Sequence, residues 1–497
     1  MLADNNNNQS TSVLFACSEL TPWVKTGGLA DVCGSLPRAL QRAGDDIRLI
    51  LPGYKSVLDQ IEPPVFVAQL DLPLHPVALC SATLYGMEVL LVTHPTFSNR
   101  DGNPYMSDDD RAWPDNAWRF ALFSQAVIAV GQNRAGLNWR PDVVHCHDWQ
   151  TGLVPALMSL EPERPATVFT IHNLAYQGNI LHKLYADMGL PIELFNENGL
   201  EFWGQASFIK GGIAFADRVN TVSPTYSQEI KTPRFGNGMD GMLRYRGERV
   251  SGILNGIDHS IWDPAIDGHI PHNYDVDSLN LKSRNKVELQ KHLSLPQDAD
   301  KPVFGVISRL AVQKGIDILV NAVRQTEHLD YQLVVLGSGD TELQNQLMRL
   351  THDYPDRVAV RIGFDEALSR LIEAGSDVFL MPSRYEPCGL NQLYSLRYGT
   401  LPLTTRVGGL ADTVLDADEH GDKANGFLIE QPGAPQLANG MARALERYTD
   451  KPAWRKLQQT GMSESYSWDE SAHRYRQLYQ AAIGDAALEY EARRVRA

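Results

Sequence analysis

Two cations lie five residues apart in Ser308-Arg309-Leu310-Ala311-Val312-Gln313-Lys314-Gly315, directly after an apolar run. Such a run ending in polar residues reads as a buried strand of a parallel sheet, and ligands of α/β proteins bind at the C-terminal ends of those strands. A fixed guanidinium and an ammonium there can hold a diphosphate and stabilise it as it departs, the task Mg²⁺ performs elsewhere. Taken alone, the stretch also fits a solvated cationic loop. Pro382-Ser383-Arg384-Tyr385-Glu386-Pro387-Cys388-Gly389-Leu390 again lies just past a strand and leads into a helix from Asn391. Glycine at a helix entrance lets an anion approach. Glu386 falls where a sugar on that anion would hang, able to accept hydrogen bonds from hydroxyls or to steady positive charge at the anomeric carbon. A surface glutamate is the ordinary alternative.

Near the start, Lys25-Thr26-Gly27-Gly28-Leu29 follows the first strand, where glycines bring backbone N–H groups and a lysine close to an anion. This is neither GxGxxG nor a Walker motif, and a plain strand-to-helix turn is the competing reading. Thr170-Ile171-His172-Asn173 ends one strand and His147-Asp148-Trp149 ends another. A lone histidine is more often structural, but polar groups accumulate at this sheet edge. Asp108-Asp109-Asp110 lies in a Gly/Asn/Asp-rich loop without histidine or further carboxylates nearby, and reads as solvated loop rather than a metal site.

These loops need a frame, and the apolar runs supply one. VLFAC from Val13, the helical stretch from Gly28 to Ala43 and IRLIL from Ile47 open an alternation of strands and helices that continues through DVVHCHD from Asp142, ATVFTIHN from Ala166 and DRVNTVS from Asp217. After NGIDHSIWDP from Asn255 the rhythm restarts with KPVFGVIS, YQLVVLGSG, RVAVRIGF, DVFLMPS and TLPLTTR. The predicted class is α/β with two doubly wound, Rossmann-like domains, at 13–254 and 255–464. Residues 1–12 read as a disordered tail and 465–497 as one long terminal helix. GGLAD occurs in both halves, at Gly27 to Asp31 and Gly408 to Asp412. It reads either as two plain glycine turns or as the trace of a duplication.

At 497 residues the chain exceeds what one core usually supports. No apolar run approaches the roughly 20 residues of a membrane span. The net charge of −15 opposes nucleic-acid binding but not a neutral polymer or a phosphorylated small molecule held in a cationic pocket. Five widely spaced cysteines and no secretory leader fit a reducing cytoplasm.

Taken in order, KTGGLADV, HCHDWQTG, IHNLAYQG, NGID, SRLAVQKG, PSRYEPCGL and GGLADTV resemble the bacterial glycogen synthase and plant starch synthase family over nearly the whole chain. The resemblance implies the GT-B architecture, two Rossmann-like domains facing across a deep cleft with the terminal helix crossing back to the first. It implies a retaining transferase that moves glucose from ADP-glucose to the non-reducing-end O4 of an α-1,4-glucan such as glycogen, with neither metal nor pyridoxal phosphate as cofactor. By position, Arg309 and Lys314 would hold the diphosphate, Lys25 with Gly27 and Gly28 would approach it from the first domain, and Gly389, Leu390 and Asn391 would cap it. Glu386 and His172 would address the glucose. Asp31, Asn255, Gln313 and Cys388 match donor-pocket positions, and Tyr105, Asp148, Trp149 and Asn173 match or lie near acceptor-side positions. Many retaining GT-B enzymes carry a second glutamate eight positions after the first; here Tyr394 stands there, which implies that the nucleoside is gripped differently, by stacking on an aromatic ring. Rival readings are a GT-B nucleotide-sugar epimerase, a transferase with another acceptor, and a non-catalytic glucan-binding protein.

Overall fold

The computed structural model describes residues 10–107 and 111–496. Residues 1–9 and the Asp108–Asp110 run lie outside that description. The chain forms two compact units. The first comprises the chain up to Val222, Ser227–Gly256 and the segment from Trp468 onward; the second comprises Ser223–Tyr226 and Ile257–Ser467.

The first unit is built on a nine-stranded sheet. Its strands are β1 (Ser12–Ala16), β2 (Asp46–Pro52), β3 (Val65–Leu70), β4 (Val77–Leu84), β5 (Met87–Thr93), β6 (Val143–His147), β7 (Ala166–Ile171), β11 (Arg218–Thr221) and β12 (Val250–Gly252). A separate antiparallel sheet holds β8 (Asn179–Leu181), β9 (Glu201–Phe202) and β10 (Gln205–Ser207). The large sheet runs β12-β11-β7-β6-β1-β2-β5-β4-β3. All neighbours from β12 to β5 are parallel, whereas β4 and β3 add antiparallel edges. The sequence rhythm anticipated only the parallel part. Between Leu84 and Met87 the chain reverses through Tyr85 and Gly86, at φ +52° and +77°, a two-residue turn that can join only antiparallel strands. The sheet also starts earlier than the sequence suggested. Ser12 already pairs with Asp46, and buried Thr11 donates its N–H to Asp45 Oδ1 at 3.1 Å, because the edge of the core needs those backbone groups satisfied.

Helix Gly28–Arg42 buries Leu29, Val32, Cys33, Leu36 and Leu40 along one stripe, as helical spacing requires. The 29-residue helix Trp468–Arg496 packs against it and against β7. From that last helix Tyr479 meets His145 Nδ1 at 2.9 Å, and Asn220 Nδ2 donates to Tyr475 Oη at 3.0 Å. The end of the chain thereby satisfies polar groups in the middle of the first sheet.

The second unit carries β13 (Val303–Ile307), β14 (Gln332–Gly337), β15 (Val358–Ile362), β16 (Val378–Met381), β17 (Leu401–Thr405) and β18 (Phe427–Ile429), all parallel, in the order β15-β14-β13-β16-β17-β18. Successive strand residues alternate between two cores. Leu333, Val335, Val378 and Leu380 pack with Leu319, Leu347 and Met441, while Val334, Leu336, Phe379 and Met381 pack with Leu289, Leu368 and Ile372. Period-two alternation with both faces apolar forces helices onto both sides of the sheet. Strand order reverses between β13 and β16, and in open sheets of this kind the crevice at that reversal receives ligands. The first unit has the corresponding reversal between β1 and β6.

A buried charge pair closes the first unit behind β7 and β11. Asp217 accepts both Nη atoms of Arg164 at 2.6 and 2.9 Å and also the N–H and hydroxyl of Thr167 at 2.7 and 2.8 Å. Asp217→Ala leaves a guanidinium that is only 9% exposed with Glu489 Oε2, at 3.2 Å, as its remaining carboxylate, and is expected to cost about 3 kcal/mol, the low end for a broken buried pair, read as a lowered urea midpoint.

Candidate functional site

In the second unit the loops after β13 and β16 lie side by side. Gly315, at φ +70°, sits so close to Pro382 that a Cβ there would fall 2.1 Å from the Pro382 carbonyl oxygen. The main-chain hydrogen bond from Arg384 N–H to Gln313 O, at 2.8 Å, and a bidentate Arg384–Asp317 pair at 2.7 Å tie the loops further. This approach delivers Lys314 Nζ to within 2.6 Å of Glu386 Oε2, which also accepts from Ser383 Oγ at 3.0 Å. Glu386 is only 5% exposed, so its carboxylate needs both partners. Arg309 Nη2 lies 3.4 Å from Gln313 Oε1, and Gln313 Nε2 donates to Tyr385 O at 3.3 Å.

The Glu386 loop is supported from behind by the second GGLAD. Gly409 N–H points at the carbonyls of Glu386 and Pro387, both at 3.2 Å, and a Cβ on Gly408 or Gly409 would stand 1.9 Å from Glu386 O or 2.2 Å from Cys388 O. In the first GGLAD, by contrast, Gly27 faces open space. The two copies therefore serve different purposes. Cys388 is buried. Gly389 takes φ +73°, and Leu390 precedes the short helix Asn391–Arg397, in which Asn391 Nδ2 donates to Ile307 O at 2.6 Å. Tyr394 is buried with one face stacked on Trp262, centroids 3.6 Å apart and planes 9° from parallel, and Arg370 covers the indole at 3.4 Å. One face of the ring that stands in place of the second glutamate is therefore taken by Trp262, a partner that nothing near Tyr394 in the sequence marks.

In the first unit, the loop after β1 contains Lys25, half exposed and paired with Asp31 Oδ1 at 2.8 Å. Two backbone N–H groups that the sequence left for an anion, those of Thr26 and Gly27, are instead donated to Glu19 Oε2 at 2.7 and 3.0 Å. Tyr105 donates to Glu19 Oε1 at 2.8 Å and lies equally close to Ser18 Oγ. Glu19 was not singled out in the sequence. Its signal is an acidic residue three positions past β1 and seven before the first amide of an N–H-rich glycine turn.

At the ends of β6 and β7, His147 Nδ1 and His172 Nε2 are 2.9 Å apart. Burial lowers the pKa of His172 to about 3 and holds His145 and His147 well below the ordinary histidine value. Two neutral rings share one proton across that contact. His147 Nε2 is buried and finds no partner among the described residues. Orphaned buried N–H groups are rarer than orphaned acceptors, so Nε2 is the unprotonated nitrogen. On that ground the His147 proton is assigned to Nδ1, which donates to His172 Nε2, and the His172 proton is assigned to Nδ1.

Asp148 stands beside this pair in a left-handed conformation, φ +55°, with Oδ1 accepting from the N–H of His172 at 2.7 Å and of Asn173 at 3.4 Å. Burial pushes its pKa up to about 7 despite those donors. Trp149 packs edge-on against Phe120 at 5.0 Å, and Asn173 Oδ1 caps Ala175 N–H at 3.1 Å. Asp148 and Tyr105 thus have internal, positioning contacts. Asn255 is buried, and its Oδ1 meets no partner among the described residues. No group of three or more His, Cys, Asp or Glu among the described residues is placed to hold a metal ion, and no described helix is long and apolar enough to cross a membrane.

Residues 12–245 match the model of the starch synthase catalytic domain, and residues 289–460 that of glycosyl transferases group 1. The chain is 49% identical over 477 residues to glycogen synthase of Cellvibrio japonicus, covering 94% of this chain and 98% of that one. It is 48% identical to glycogen synthase 1 of Methylococcus capsulatus, covering 95% and 96%. Among solved structures, the catalytic domain of starch synthase IV from Arabidopsis thaliana, bound to ADP and acarbose, matches with a TM-score of 0.85 and 32% identity over 96% of this chain and all of that one. Sucrose-phosphate synthase from Thermosynechococcus elongatus, at 18% identity over 95% of this chain and 99% of that one, shares the fold with a TM-score of 0.60.

The histidines make stability depend on pH. Between pH 5 and about 6.5 the unfolded chain protonates His145 and His147, whereas the folded chain keeps both neutral. Asp148 acts in the opposite sense, holding one proton when folded that it loses unfolded above about pH 4. Buried Glu373, held well above the usual carboxylate range, likewise keeps a proton when folded, so three histidines stand against two carboxyls and acidification is destabilising by about 1.4 kcal/mol per pH unit for the one net proton. The melting temperature is expected to fall from pH 7 to pH 5; a rise would mean that the buried rings are charged.

Proposed function

The chain belongs to the glycogen synthase and starch synthase family of GT-B hexosyltransferases, and from that premise we propose that it transfers glucose from ADP-glucose to the O4 at the non-reducing end of an α-1,4-glucan, retaining the α configuration. The observation that carries this reading is the Lys314–Glu386 pair beside Arg309 at the strand-order reversal of the second unit. Without donor, Lys314 neutralises Glu386. A pyrophosphate brings Lys314 and Arg309 a more highly charged partner, which draws the lysine away and leaves the Glu386 carboxylate to receive sugar hydroxyls.

The C1–O bond of glucose then breaks with its electron pair leaving on the diphosphate, whose developing charge Lys314 and Arg309 stabilise. The glucan O4 attacks C1 from the same face, and its proton passes to an oxygen of the departing phosphate. His172, held as the Nδ1–H tautomer by His147, donates to a hexose hydroxyl. Gln313, Cys388, Gly389, Leu390 and Asn391 line the donor side, with Asn255 and Asp31. Lys25, with Gly27 and Gly28, adds positive charge for the diphosphate, and Trp149 and Asn173 serve the acceptor. The positive charge comes from side chains, so the scheme calls for neither metal nor organic cofactor.

Labelled ADP-glucose and UDP-glucose, each supplied with glycogen, are expected to give label in the polymer from the ADP sugar first. Loss of sugar from the donor without incorporation would favour an epimerase or hydrolase instead. Lys314→Ala and Arg309→Ala should each lower kcat/KM by about two to three orders of magnitude, the loss of roughly 3–4 kcal/mol typical of a missing oxyanion partner. Glu386→Gln should all but abolish transfer while ADP affinity, followed by calorimetry, holds or rises, since Lys314 no longer has a competing carboxylate. A collapse of ADP affinity would place Glu386 on the nucleotide rather than the sugar.

A further inference from the structure

The small sheet β8–β10 of the first unit carries a side chain that packing does not explain. β9 and β10 are joined by Trp203 and Gly204, at φ +53° and +78°. Such turns favour Asn or Gly at both places, and a left-handed backbone is costly for a bulky aromatic. Trp203 is nevertheless there and is 83% exposed. An indole held in water by a strained backbone adds no core stabilisation, and strain of this sort marks functional positions.

The surroundings fix the ring and supply hydrogen-bonding groups. Gly204 N–H donates to Glu201 Oε1 at 2.7 Å, closing the turn. Phe202 is inclined at 65° to the indole, centroids 6.2 Å apart. Gly238, at φ +82°, approaches perimeter atoms of both rings: a Cβ there would lie 2.9 Å from Phe202 Cζ and 3.6 Å from Trp203 Nε1. The neighbouring Asn237 carbonyl accepts from Gln177 Nε2 at 2.9 Å, and Gln177 Oε1 accepts from Asn179 Nδ2 at 3.0 Å. A flat, water-facing indole bordered by amides and one carboxylate suits the apolar face of a pyranose whose equatorial hydroxyls reach outward to planar hydrogen-bonding groups. With Glu201 the only charged member of this set, a phosphate is a poor fit.

We propose that the Trp203 turn is a binding point for a chain of α-linked glucose units, one sugar ring stacking on the indole. The proposal rests on the glucan-elongating reading and adds to it a place where the polymer is gripped. Trp203→Ala is expected to weaken binding of maltoheptaose and glycogen about tenfold, by calorimetry and by retardation in glycogen-containing gels. KM for glycogen should rise in step, while kcat at saturating glycogen and KM for ADP-glucose stay within twofold. Trp203→Phe should restore most of the affinity, and an unchanged melting temperature would show that the fold is intact. Glycogen binding equal to that of the wild type would overturn the assignment and turn attention to a protein partner for this turn. Equal losses in glycogen and ADP-glucose KM would overturn it too. A wild-type protein that incorporates no glucose into glycogen would instead remove the functional reading itself.

Discussion

A carboxylate as secluded as that of Glu386 must be answered by a positive charge, and that requirement shapes the second unit. Lys314 can answer it only if the loop after β13 runs against the loop after β16, and the contact leaves no room for a side chain at position 315. The same loop is pressed from its other side by Gly408 and Gly409, whose missing side chains let two main chains touch. Placing both loops at the reversal of strand order brings them together without any long excursion of the chain. The ion pair, the three glycines and the sheet order are therefore one arrangement.

The first unit solves a related problem with hydrogen bonds rather than an ion pair. Glu19 gathers two amides of the Lys25 loop and the hydroxyl of Tyr105, giving shape to a segment rich in glycine. Asp148 performs the same service for the main chain at His172 and Asn173. Behind them, the neutral imidazole of His145 is oriented by the Thr170 hydroxyl and by Tyr479 from the last helix. Burial keeps the three histidine rings uncharged, so their hydrogen bonds have direction.

The parallel strands were legible in the sequence because continuous apolar runs such as VLFAC and DVFLMPS have few other uses. The helices on either side followed from amphipathic spacing, and the clustering of Arg309, Lys314 and Glu386 followed from their places just past strands. What escaped notice depends on partners distant in the chain. Glu19 matters through Tyr105, Tyr394 through Trp262, and His147 through the tautomer it imposes on His172. The strands β8–β10 were missed because they are brief and partly exposed, whereas β4 and β5, eight and seven residues long, lie outside the strand–helix alternation that marks a parallel sheet.

The return of the last helix to the first sheet carries a consequence for biosynthesis. The hydroxyls of Tyr475 and Tyr479 that complete the polar interior around His145 and Asn220 leave the ribosome only after the entire second unit has been made. At about 5–20 residues per second the incomplete amino-terminal sheet waits on the order of ten to forty seconds, with the flank that this helix will cover still open to water and to chaperones. The second unit has no such wait, so its sheet can mature before the one whose synthesis began earlier.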